Sequence, residues 1–369
     1  MIGLELENFL KVLRGAKRPE DVFGELAGTA DEQLQQGRKL YRRYSRICHP
    51  DFNEGAAEAS EASALLNVFW DQTQQAIKDG TYGSTPVAPI ATISSRKNSY
   101  EILESIPDGE VADLFWARSN TTDHALLKVV RLPADADLMD AETKALKTLA
   151  DPDDPRGKSF LNYFPTLLES FRFRDTGTGV VRRVNAFAGI YGMYSLADVI
   201  QAYPRGIDPK DMAWMFRRLL DALGYAHRLK TIHGAVLPNH VLIHPENHHL
   251  MLVDWYYSLC DVPESTQHIK AISPDYRDWY PPEVAAKQTP TPGTDILMAA
   301  RCMVAILGGD PLTGQLPSSV PPRMRGFLKS CLLVSPRQRP QRAWKLREEF
   351  TELIEQLWGK REFRPFNMP

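Results

Sequence analysis

Residues 80–98 read GTYGSTPVAPIATISSRKN, a run rich in Gly, Pro, Ser and Thr with no apolar period, and they split the chain into parts that no single pattern spans. A segment of that composition cannot bury a continuous face and is expected to be a linker. Before it, apolar residues recur only at helical spacing. Leu4, Phe9, Leu10 and Leu13 mark one helix, Leu34, Tyr41, Tyr44 and Cys48 a second, and Ala62, Leu65, Leu66, Phe69 and Ile77 a third. Thr29 stands three residues before Glu32, the spacing of a capping box that opens the second helix. After the linker come short strand-like runs, YEILESI, ADLFWAR and ALLKVVR, then a helical stretch around Glu142, then LLESFRF and VNAFAGIYG. From about residue 208 helices dominate, as in DMAWMFRRLLDALGYAHRL. A strand-rich part followed by a helix-rich part implies two subdomains with a cleft between them. No internal repeat is visible.

Bulk properties narrow the function classes. At 369 residues the chain has room for two or three domains. A formal net charge of -2 argues against nucleic-acid binding by the whole protein, so any electrostatic site must be local. Cys48, Cys260, Cys302 and Cys331 lie far apart and read as reduced thiols, neither zinc ligands nor disulfides. The start, MIGLELENFLKVLRG, has no apolar signal region, and no run approaches about 18 apolar residues, so a cytoplasmic protein without a membrane segment is expected.

Two basic residues at i,i+4, Arg38 and Arg42, with Lys39, Arg43 and Arg46 beside them, give the second helix a cationic surface. That helix runs into His49-Pro50-Asp51, where a proline between two polar residues fixes φ and stiffens the loop. Such a surface steers an acidic partner and mostly sets its on-rate. DVFGELAG, GRKLYRRYSRICHPDFN and ASALLNVFWDQTQQAI together resemble a J-domain over about residues 18–80. The resemblance implies docking on a DnaK-type chaperone through His49, Pro50, Asp51 and the basic face. Phe52 departs from the lysine common in that family.

Residues 100–350 resemble a eukaryotic-type protein kinase, motif after motif in order. Lys128 in ALLKVV matches the strand lysine that reaches nucleotide phosphates, and Glu142 in AETKALKTL the helix acid that pairs with it. IYGMYSLADVI resembles the hinge, HGAVLPNHVLI the catalytic loop, and MLVDWYYS the strand carrying the metal-binding aspartate, Asp254. Glu283 in YPPEV and Arg339 in SPRQRP match a buried ion pair of the family, and Asp295 in GTDILMAA its loop-bracing aspartate.

The residues that carry phosphoryl transfer are where the sequence departs. Ala235 stands where the family places its base, Leu237 where it places a lysine, and His240 where it places a metal-binding asparagine, with Asn239 one position away. The flexible glycine after the aspartate is lost in Asp254-Trp255-Tyr256. The three glycines of the phosphate-covering loop become Pro107, Gly109 and Ala112, and glycine is what lets backbone N–H groups approach phosphate closely. Gly109, Lys128, Glu142 and Asp254 remain, and would let the cleft hold ATP with a divalent metal, though the sequence makes no cofactor certain. His244, His248 and His249 read as a surface turn, and Arg172, Arg174, Arg182 and Arg183 as a solvated strand face.

The expected fold class is therefore α+β. An all-helical J-domain over residues 1–79 and a linker over 80–98 precede a bilobal kinase-like domain over 99–358, strand-rich then helical, and a tail over 359–369. The expected function is a co-chaperone or adaptor, not an enzyme, recruiting a client or regulator to a DnaK-type chaperone, with no nucleic acid or membrane partner. Two alternatives stay open: an atypical kinase-fold nucleotide-dependent transferase using Lys128, Glu142 and Asp254, and a scaffold in which both modules act only through their surfaces.

Overall fold

The computed structural model describes residues 2–48, 57–83, 89–107, 109–122, 124–151, 157–190, 192–262, 267–360 and 363–368. The chain forms two compact units, residues 1–133 with 168–192 and residues 134–167 with 193–369.

The first unit opens with four helices, α1 (Ile2–Gly15), α2 (Pro19–Phe23), α3 (Ala30–Cys48) and α4 (Ala57–Lys78). The start of α3 is the expected capping box: Thr29 N donates to Glu32 Oε2 at 2.8 Å and Glu32 N donates to Thr29 Oγ1 at 3.4 Å. Leu6, Leu10 and Leu13 of α1, Val22 and Phe23 of α2, and Ala62, Leu66, Phe69 and Trp70 of α4 form one core. Tyr41 and Tyr44 of α3 are only partly buried against that core, and Leu34 is likewise half-buried. The fully enclosed mid-helix position of α3 is Gly37. Trp70 explains the difference: its ring lies flat against Tyr41 at 5.3 Å and fills the space a side chain at 37 would take. Polar bonds tie the same helices together, Tyr41 Oη to Asn67 Oδ1 at 2.8 Å and Ser63 Oγ to the Cys48 carbonyl at 2.6 Å.

The rest of this unit is a sheet of six strands, β1 (Ala91–Ser94), β2 (Ser99–Ile106), β3 (Ala112–Ser119), β4 (Ala125–Val130), β5 (Leu167–Arg174) and β6 (Val181–Ala188), in the order β1-β2-β3-β4-β6-β5. β1 lies inside the stretch expected to be linker and pairs antiparallel with β2, Ile93 opposite Tyr100. Only Ile93 of its four residues is buried, so there is no alternation for sequence reasoning to detect. The sheet curls until its two edges meet. Glu169 on β5 accepts from Ser95 Oγ at 2.9 Å and Asn98 Nδ2 at 3.2 Å, and Tyr100 stacks on Phe171 at 5.9 Å. The first residues after α4 are also fastened, Tyr82 Oη to the Gly24 carbonyl and Gly83 N to Glu20 Oε1, each at 2.7 Å.

The second unit contains α5 (Ala136–Leu149), β7 (Tyr194–Ser195), α6 (Leu196–Ala202), α7 (Pro209–Arg228), β8 (Val241–His244), β9 (His249–Leu252), α8 (Pro282–Ala285), α9 (Pro292–Ile306), α10 (Pro322–Cys331) and α11 (Ala343–Trp358). β7, β8 and β9 form a small antiparallel sheet. α9 is enclosed along most of its length and packs on α6, α7 and α10. Arg339 and Glu283, both buried, form the expected two-pronged pair, with Arg339 Nη2 2.9 Å from Glu283 Oε2. Thr294 Oγ1 adds a third bond to the same carboxylate at 3.0 Å. All four cysteines are free and buried. Among the described residues no helix is long and apolar enough to cross a membrane.

Gly37→Ala sets two effects against each other. Alanine gains about 1 kcal/mol of helix propensity over glycine, but its Cβ would stand 2.7 Å from Trp70 Cζ3. Overpacking of a closed core costs about 1–3 kcal/mol, so the clash is expected to win and the urea midpoint of the variant to fall.

Candidate functional site

Arg38, Lys39, Arg42, Arg43 and Arg46 are all exposed on α3. At 100° per residue they span an arc of about 140° of the helix surface, opposite the side that Gly37 and Tyr44 turn to the core. The helix ends at the buried Cys48, whose carbonyl is held by Ser63. His49, Pro50 and Asp51 lie outside the described residues.

Two nucleotide-site candidates belong to the first unit. Lys128 sits in the middle of β4 opposite Asn185 of β6, is 4% exposed, and holds its ammonium 5.2 Å from the centre of the Phe187 ring. A buried lysine over an aromatic face is stabilised as a cation by the ring quadrupole. Gly109 stands in the turn before β3, where a Cβ would come within 2.0 Å of the Ala112 carbonyl oxygen. The tight turn therefore requires glycine there for its own backbone contact, whatever it might cover.

Glu142, Asp254 and the loop residues belong to the second unit. Glu142 is fully buried on α5. The 233–240 loop is braced by Asp295 of α9, whose carboxylate accepts from His233 N and Gly234 N at 2.9 Å each and lies 2.8 Å from His227 Nε2. His233 Nε2 donates to the Val253 carbonyl at 2.9 Å, and its Nδ1 accepts from Ala235 N at 3.2 Å. Ala235 and Leu237 are fully buried. At those positions the loop offers neither a proton acceptor nor an ammonium group. His240 is also buried, with Nδ1 2.8 Å from the Ala235 carbonyl and Nε2 3.7 Å from Asp254 Oδ2. Asn239 points out of the loop and accepts from Tyr276 Oη at 3.2 Å. Asp254 itself adopts a left-handed conformation, φ 61° and ψ 57°, and the next residues, Trp255 and Tyr256, are buried.

Among the described residues no group of three or more His, Cys, Asp or Glu side chains is placed to hold a metal ion. The histidines read as a surface turn do flank and occupy the turn between β8 and β9, but they are less exposed than a surface turn implies. His244 is buried, and His248 lies between Trp214, at 4.2 Å and nearly parallel, and Phe363, at 4.5 Å. The turn was legible in the sequence, and the enclosure was not, because the aromatic partners come from distant segments.

No protein-family model and no curated protein matches this chain. Solved structures do. The kinase domain of Mycobacterium tuberculosis PknI, as a double mutant, matches with 16% identity and a TM-score of 0.52 over 73% of this chain and 99% of that one. A single-mutant form matches with 17% identity and a TM-score of 0.53 over 73% and 100%. This chain has a protein-kinase-like fold. The kinase-like body keeps the brace at Asp295 and the Glu283–Arg339 pair, while Ala235 and Leu237 fill the loop with hydrocarbon.

Burial pushes the His233 imidazole down to about 4 from its usual 6.5, against the pull of Asp295 and with a smaller push from His240. The folded state therefore holds this ring neutral, and its contribution is complete above pH 6.5. As pH falls from 6.5 towards 4 the unfolded chain takes up the proton first, and stability drops by on the order of 3 kcal/mol. His124, pushed down to about 4 by burial, adds a slope of the same sign. Urea midpoints measured from pH 7.5 to 4.5 should fall steadily below 6.5, and more shallowly in His233→Gln.

Proposed function

We propose that the chain is an adaptor: a J-domain-like helical module that engages a DnaK-type chaperone, joined to a kinase-like body that recruits a client or regulator and does not transfer phosphate. The exposed cationic arc on α3, leading directly into His49-Pro50-Asp51, carries this reading. Five exposed cations on one face add little to folding stability, since exposed ion pairs contribute about 0–1 kcal/mol each. Their clustering suits recognition of an acidic partner surface. The burial of Ala235 and Leu237 supports a body without phosphotransfer chemistry, because neither residue can accept a proton or hold phosphate.

A second reading, nucleotide binding without phosphotransfer, is favoured by Lys128. Lys128 stands where the resembled family places its phosphate-reaching lysine, in the middle of β4 and enclosed over Phe187. ATP is the ligand this reading calls for.

Two measurements test these readings separately. The full chain should stimulate the ATPase of a DnaK-type chaperone, Asp51→Asn should abolish the effect, and Arg42→Glu with Arg43→Glu should weaken it most at low salt. Undiminished stimulation by Asp51→Asn would overturn the co-chaperone reading. ATP at a hundred times its dissociation constant should stabilise the protein by about 2.7 kcal/mol, and Lys128→Ala should remove that shift. No shift at millimolar ATP would rule out the second reading.

A further inference from the structure

The segment after α11 packs back on the second unit and lies in a groove built from three places: Tyr203 after α6, Asp208 and Asp211 at the start of α7, and Pro245 and His248 in the β8–β9 turn. Arg364 donates to Asp208 Oδ2 at 3.1 Å and to Asp211 Oδ2 at 3.2 Å. Phe366 is 5% exposed and packs on Tyr203 at 5.6 Å, while its N donates to the Pro245 carbonyl at 3.4 Å. Tyr203 Oη donates to the Asn367 carbonyl.

The groove is better furnished than its occupant uses. Asp211 is 6% exposed, yet its Oδ1 is buried without a hydrogen bond. An enclosed carboxylate oxygen left unpaired costs about 1–3 kcal/mol. The tail answers one oxygen of Asp211 and leaves the other. Arg364 keeps 45% of its side chain exposed, and Phe363, although against His248, is 64% exposed. Burial also raises the Asp211 carboxyl, with Arg364 pulling it down and Asp208 pushing it further up.

We propose that this groove is the recruitment surface of the kinase-like body. Its ligand is an extended peptide segment carrying an arginine two residues before an aromatic ring, and the tail Arg364-Pro365-Phe366 occupies it as a displaceable stand-in. The chemistry follows the groove: paired carboxylates for a guanidinium, an aromatic slot for a ring, and an Asp211 carboxylate oxygen left over for a further polar group of a tighter ligand. This rests on the adaptor reading only in supplying the place where a client is held. The test below uses no chaperone, so its failure and that of the chaperone reading are distinguishable.

The probe is a fluorescein-labelled peptide with the tail sequence EFRPFNM, followed by polarisation against the full chain. In the Arg364→Ala, Phe366→Ala protein the tail is released, and the peptide should bind at least tenfold more tightly than to the unaltered chain. Adding Asp208→Asn and Asp211→Asn should remove that gain, as should a peptide in which the arginine is glutamine and the second phenylalanine is alanine. Far-ultraviolet dichroism and a melting curve check that each variant is folded. A folded, tail-released protein that does not bind the peptide would make the tail a structural strap and overturn the proposal. So would binding unchanged by the aspartate substitutions. A concentration-dependent dimer that requires Arg364 would assign the groove to a second copy's tail and would equally overturn it.

Discussion

The second unit is organised around one buried carboxylate. Asp295 holds two consecutive backbone N–H groups of the 233–240 loop and lies against His227, so its charge is satisfied where water cannot reach it. An unpaired carboxylate in that position would cost several kcal/mol, and this fixes the loop to α9. The order then propagates. His233, placed by its own N–H on Asp295, uses one ring nitrogen on Ala235 N and the other on the Val253 carbonyl, which sets the backbone just before Asp254. His240 closes the loop on itself through the Ala235 carbonyl. Every bond in this series to residue 235 uses its backbone, so the identity of that side chain does not enter. The frame of this loop therefore depends on Asp295, His233, His240 and backbone atoms, and not on the side chain at 235.

Energetics separates charges that hold the fold from charges that do not elsewhere in the chain too. Arg339 is buried against Glu283, the Leu333 and Val334 carbonyls accept from its guanidinium and Thr294 donates to the same Glu283 carboxylate, and removing one partner of such a pair costs about 3–5 kcal/mol. The five cations of α3 are the opposite case, exposed on a helix whose stability comes from Tyr41, Tyr44 and the enclosed Gly37. Charges so placed contribute little to the fold, whereas the buried pair is part of it.

Much of this was legible in the sequence wherever a local pattern carries the information. The Thr29–Glu32 cap, the strand placement of Lys128, the Asp295 brace and the Glu283–Arg339 pair follow from short motifs in a fixed order. Features assembled from distant segments were not legible. β1 has one buried residue and no alternation. The stacking of His248 needs Trp214 and Phe363, which lie 34 residues before it and 115 after it. The exclusion of a side chain at Gly37 is set by Trp70 on another helix. Gly109 reads as part of a phosphate loop, yet the Ala112 carbonyl alone is enough to demand glycine there. A motif position can thus be satisfied for a reason unrelated to the motif's chemistry.

The same distinction bears on whether the body switches or stays fixed. A glycine after Asp254 would let the following segment move between conformations, since glycine crosses φ regions at little cost. Here Trp255 follows Asp254, fully buried, its indole N–H bonded to the Leu252 carbonyl and its ring edge-on to His233 at 4.5 Å and to Phe164 at 5.6 Å. Tyr256 and Tyr257 are buried beside it, and Ser258 closes the turn back on the Trp255 carbonyl. Moving this segment would expose three aromatic side chains, and each fully buried phenyl-sized side chain is worth about 1.5–3 kcal/mol. A few kcal/mol from a bound ligand could not offset that loss. The segment after Asp254 is therefore part of the core of the second unit, held by its own aromatic packing.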